Sequence, residues 1–130
     1  MIHIQNSDKD IHLLVQDLTA AVERHKFGVL HIHDLQTTMR NKGIDFPETC
    51  TILEICNPRF ADTVLGQDMR ISLALPCRIT VFTENGRTKV GTLLPSELIG
   101  VFGNEDDEVL TEAARHVEDE ILAMIREATD

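Results

Sequence analysis

Apolar residues recur at helical spacing in two long windows of the chain. In the first, Ile11, Leu14, Val15, Leu18, Ala21 and Val22 fall on one face of a helix, behind Ser7-Asp8-Lys9-Asp10, which reads as a capping box with Asp in place of Glu. In the second, Val109, Leu110, Ala113, Val117, Ile121, Leu122 and Ile125 follow Asn104 and the acidic run Glu105-Asp106-Asp107-Glu108. Those acids suit the positive end of a helix dipole, so the run has a structural explanation. Elsewhere the period shortens to that of strands. Residues 1–5 alternate weakly, residues 27–33 are rich in branched side chains, and residues 51–56 set Leu53 and Ile55 against Glu54 and Cys56 on opposite faces.

Turn chemistry divides what remains. Asp34 stands where a short helix over residues 35–42 would be capped, and Gly43 ends it, leaving 44–48 as a connector. Asn57-Pro58 opens another helix that runs to Leu65 and stops at Gly66, with Asn57 as the cap and Pro58 at the first helical position. Asn85-Gly86 supplies the positive φ angles of a tight hairpin between residues 77–83 and 87–94. Pro95-Ser96-Glu97 begins a short helical piece through residue 102. Residues 67–75 show no period, yet Ile71, Leu73 and Leu75 are too apolar for an ordinary exposed loop, which predicts a packed, partly irregular segment. The order is that of one α+β domain over residues 1–130, a mixed or antiparallel sheet covered by helices. A small sheet of this kind has an edge or face to cover, so a homodimer is expected, with the apolar segment 71–75 as its surface.

Composition narrows the function classes. The 130 residues carry a formal charge of −10, and their Lys and Arg are scattered rather than clustered, which argues against nucleic acid. Tyr and Trp are absent, removing a base-stacking platform. No apolar run approaches the roughly 20 residues that cross a bilayer, and residue 1 is not followed by a signal-peptide pattern, so the expected setting is cytoplasmic, without membrane contact. Three cysteines, Cys50, Cys56 and Cys77, form an odd set without a disulfide framework.

The candidate chemistry gathers around Cys56. It lies just before the helix opened by Asn57 and Pro58, where a helix dipole favours a thiolate, and Cys77 begins another strand. The two are candidates for a redox pair or a sulfur-carrying thiol, against the competing reading that both are small buried hydrophobes; Cys50 is read as filler. Arg59 and Arg70 could hold an anion beside the same helix start, which points to a binding module for a small anionic or thiol-reactive ligand. His31 and His33 share one side of a strand and could bind a metal with Cys56 or Glu54, against the reading of two solvated imidazoles. No Ser-His-Asp order, Walker loop, dinucleotide glycine pattern or carboxylate pair occurs, so the sequence supports no enzyme and names no cofactor.

Phe27-Gly28-Val29-Leu30, the strand-ending Asp34, Ile52-Leu53 with Cys56-Asn57-Pro58, and Leu73-Ala74-Leu75-Pro76-Cys77 resemble, in order and spacing, the bacterial and archaeal domain-of-unknown-function family 302. The resemblance spans nearly the whole chain and implies a compact α+β fold of the TATA-binding-protein-like type, usually dimeric, with no established activity. Cys56 and Cys77 match its two motif cysteines. Leu94-Pro95 departs from the expected Asp-Pro, and the His31-Ile32-His33 element is no part of the pattern.

Overall fold

Alternating burial along the strands builds the molecule outward from one sheet face. The structure, a computed structural model, describes residues 1–130 apart from the side chain of Phe102. In chain order the elements are β1 (Ile2–Ser7), α1 (Ile11–Arg24), β2 (Gly28–Asp34), α2 (Leu35–Arg40), β3 (Cys50–Cys56), α3 (Pro58–Gln67), a 3₁₀ helix (Met69–Ala74), β4 (Cys77–Glu84), β5 (Arg87–Leu93), α4 (Pro95–Phe102) and α5 (Glu108–Thr129). The strands form one sheet in the order β1-β5-β4-β3-β2, with every pairing antiparallel, so of the two sheet types expected the antiparallel one is realised.

Register places apolar side chains in rows. Leu53 faces Ile79 and Val81 faces Val90, all fully buried, while Cys50, Ile52, Glu54 and Cys56 point the other way and are half-buried. Onto the buried face pack Leu14, Leu18 and Val22 of α1, Phe60 and Val64 of α3, and Leu110, Val117, Ile121, Met124 and Ile125 of α5, as one continuous core. The long helix α5 touches α1, α3 and α4 and is the spine of that layer. The opposite face has no helical cover of this kind, and Ile2, Ile4 and Leu93 stand exposed along it.

Several local expectations shift. The cap of α1 is Asp10, accepting from the N–H of His12 at 3.0 Å, and not Ser7, because Ser7 is still paired in β1 opposite Thr88. The helix closes on Lys26 at φ 66°, with Phe27 N–H donating to Val22 O and Lys26 N–H to Glu23 O, a left-handed cap without the usual glycine. The last helix begins at Glu108 with Asp107 as its cap, one turn later than the acidic run suggested. Its Val109, read as core, is exposed, while Ala114 is fully buried. Residues 69–74 lack a period because a 3₁₀ helix repeats every three residues. Ile71 within it is buried in the chain's own core, while Leu73 is exposed.

A polar clamp joins α1 to α5. His25, at the C-terminal end of α1, contacts Glu120 through Nδ1 and Glu127 through Nε2. Burial lowers the imidazole pKa, but the two carboxylates outweigh it and the net displacement is upward. The folded state thus holds the proton more tightly than the unfolded chain. This contribution is fully present below the ordinary His value of about 6.5 and is lost as pH rises through the raised folded value. Thermal melts of wild type and His25→Gln between pH 5.5 and 8.5 are expected to differ most at the acid end and to converge toward the alkaline end; a constant gap would mean that the clamp does not titrate.

Candidate functional site

The site is assembled where β3 ends and β4 begins. Asn57, with φ −112°, turns the chain out of β3, and its Oδ1 accepts from the N–H groups of Arg59 at 3.0 Å and Phe60 at 3.3 Å. Pro58 has no N–H, and Ala61 N–H already donates to Asn57 O at 3.1 Å. From Pro58 to Ala61 the first turn of α3 keeps no free N–H, and Asn57 is a structural cap, so Arg59 and Phe60 offer no open N–H to an anion or to a Cys56 thiolate.

The two arginines read from the sequence do not join it. Arg70 is bound to Asp68, Nη2 to Oδ2 at 2.7 Å, and that guanidinium holds the Asp68 carboxyl below its usual range. Arg59 is exposed, and neither arginine lines the cavities beside Cys56. What lines them is the Leu75-Pro76-Cys77 crossing, in which the Leu75–Pro76 peptide is cis. On one side is a pocket of about 300 Å³ walled by Cys56, Asn57, Ala61, Leu65 and Ser72; on the other is a cavity of about 200 Å³ walled by Ile71, Leu73, Arg78, Leu93 and Leu98. Phe60, Leu75, Pro76 and Cys77 belong to both. α3, the 3₁₀ helix and α4 thus border two open cavities that share one wall at the strand ends, the two lobes of the candidate site.

Both motif cysteines line the 300 Å³ pocket, from neighbouring strand ends. Cys77 pairs with Ile55, the neighbour of Cys56, and all three cysteines are free thiols. Burial pushes the Cys77 pKa up to about 11, with a smaller contribution from the nearby Cys56. Cys50 lies at the other end of β3, opposite Phe82, and its pKa is also raised by burial and then by Asp34, which fits a packing role.

His31 and His33 share the helix-free face, their rings edge to face with centroids 4.3 Å apart. His33 Nε2 lies 3.3 Å from Glu54 Oε1, and Arg78 Nε approaches the same oxygen at 3.8 Å. The row runs across β2, β3 and β4, but among the described residues no three His, Cys, Asp or Glu side chains gather as a metal-ligand set. Sequence reading missed Arg78, Phe60 and Leu98. Their only signals were a basic residue directly after Leu75-Pro76-Cys77 and apolar residues one turn into helices opened by Pro58 and Pro95.

A thiol with a pKa near 11 is almost entirely protonated at pH 8, and only the thiolate is alkylated. Native Cys77 should react with iodoacetamide on the order of a hundredfold more slowly than an unperturbed thiol, from thiolate fraction alone. Mass spectrometry of Cys56→Ser and Cys77→Ser, native and unfolded, isolates each rate. Native alkylation of Cys77 at the unfolded rate would mean that its desolvation is absent.

Among the described residues, no helix is long and apolar enough to cross a membrane. No curated protein matches the chain. A crystal structure of an uncharacterized conserved DUF302 protein from Bacillus stearothermophilus matches it with a TM-score of 0.88 and 29% identity, covering 98% of this chain and 97% of that one. The α+β arrangement with its five-stranded antiparallel sheet is thereby shared with a solved relative. The family model described as domain of unknown function DUF302 covers residues 3–128, and the chain belongs to that family.

Proposed function

We propose that the protein is a small-molecule binding module whose site is the two-lobed cavity around Leu75-Pro76-Cys77, and that its ligand joins an apolar body to one anionic group. The observation that carries this reading is the lining itself. Both lobes are walled mainly by apolar side chains, and among the described residues Arg78 is the one charged group in either wall. Its contact to Glu54 is a loose 3.8 Å and its side chain is 61% exposed, which leaves guanidinium donors for a carboxylate. A largely apolar lining with one polar group fixing orientation is the usual form of a small-ligand site. The anion-binding role thus moves from Arg59 and Arg70 to Arg78.

A second reading, a thiol redox or sulfur-carrying role, is supported by Cys56 and Cys77 sharing the wall of the 300 Å³ pocket at adjacent strand ends. The raised Cys77 pKa disfavours Cys77 as the nucleophile, leaving Cys56 for that part.

Octanoate, octanol and acetate separate the contributions of tail and charge. Octanoate is expected to raise the melting temperature in a saturable manner, octanol less, and acetate not at all. Arg78→Gln should weaken octanoate about ten- to a hundredfold, the size of a lost charge-assisted hydrogen bond, while leaving octanol unchanged. No response to any of the three would refute the binding reading.

A further inference from the structure

The two edges of the sheet are treated differently by the sequence. β2 is interrupted at Leu30, where the register against β3 shifts between Val29 and His31, and it ends in Asp34 and the turn into α2. A bulge of this kind twists an edge out of line for further pairing. β1 has no such device. It pairs with β5 in unbroken register over six residues, Ile2 against Leu93 through Ser7 against Thr88, and contains no proline, lysine or other permanently charged residue. Among the described residues no strand pairs with its outer edge. Ile2 and Ile4, 64% and 52% exposed, stand beside that edge on the helix-free face.

We propose that the β1 edge binds the β1 edge of a second copy of this chain, antiparallel, so that two five-stranded sheets become one of ten strands. The partner is identified by self-complementarity. Residues that face each other across an antiparallel pair must point to the same side of the sheet, so a strand can meet its own copy only in registers that pair like parity. The register centred on Ile4 uses residues 2–6 and sets Ile4 against Ile4, His3 against Gln5 and Ile2 against Asn6. It keeps both helix layers on one side and brings the exposed isoleucines of the two copies together. Charge agrees: the chain carries −10 overall, yet residues 2–7 hold no acid, so two acidic molecules meet along a neutral strip. This inference is independent of the ligand reading, and it places the expected homodimer on β1 rather than on the segment 71–75.

Light scattering of the full chain at tens of micromolar is expected to give twice the chain mass of 14.6 kDa. Ile4→Lys, which sets two lysines against each other in that register, should halve the measured mass while circular dichroism stays that of wild type; Leu73→Asp should leave the dimer intact. Hydrogen exchange of wild type should show β1 amides that become faster on dilution, a readout that does not depend on any variant folding. A monomeric wild type, a dimer that survives Ile4→Lys, a dimer lost in Leu73→Asp, or β1 exchange independent of concentration would each overturn the proposal.

Discussion

Burial of one sheet face beneath a helix layer built around one long helix is the constraint on which the rest of this structure depends. The inward row of β3, β4 and β5 is closed by α1, α3 and α5, and in α5 Leu110, Ala114, Val117, Ile121, Met124, Ile125 and Ala128 are buried at three- and four-residue spacing. Each of the larger of these side chains contributes about 1.5–3 kcal/mol when fully removed from water, so α5 alone accounts for a substantial part of the hydrophobic stabilisation. α1, α3 and α4 all rest on it. Lys9 adds a polar tie, its Nζ donating to Ala128 O at the far end of α5 and to Asp17 within α1.

The site is a consequence of how the layer ends. α3 leaves β3 at Asn57 and returns through the 3₁₀ helix to start β4, so the connection must cross the strand ends within a few residues. Ile71 anchors that return in the core, and Gly103 makes it possible: a Cβ there would stand 3.0 Å from Ile71 Cδ1 and 3.3 Å from Leu110 Cδ1. α4 is held from below by Glu118 of α5, whose Oε1 accepts from Ser96 Oγ at 2.6 Å and from Ser96 N–H at 3.2 Å, replacing the side-chain cap that Leu94 cannot give. The expected Asp-Pro is absent at this point, and a carboxylate from another helix serves the helix start. The cavities are the space left between these anchored pieces.

The elements were legible wherever local chemistry decides them. Asn57-Pro58 and Asn85-Gly86 placed a helix start and a hairpin because a cap and a pair of positive φ angles are set by the residues themselves, and Asn85 and Gly86 indeed stand at φ 52° and 79°. Lys26 was not legible, since its left-handed conformation is imposed by the packing of Phe27 beneath α1 and not by its own type. The candidate site was half legible. Cys56 and Cys77 could be named from their positions, but their adjacency depends on the β3–β4 register, which no local pattern specifies. Arg70 was misplaced because an i, i−2 carboxylate, Asp68, captures it. Arg78 was not singled out because its place in the cavity wall and beside Glu54 is set by the sheet register.

The central claim is that this two-lobed cavity receives the ligand, in preference to the larger polar basin of about 620 Å³ bounded by Asn6, Lys9, Asp10, Thr83 and Arg87 at the other end of the sheet. Chemical-shift mapping of isotope-labelled protein during an octanoate titration locates binding directly. Shifts concentrated on Leu75, Cys77, Arg78 and Ile99, with the amides of Lys9 and Arg87 unmoved, are expected. Shifts centred on Lys9 and Arg87, or spread evenly over the surface, would contradict the assignment.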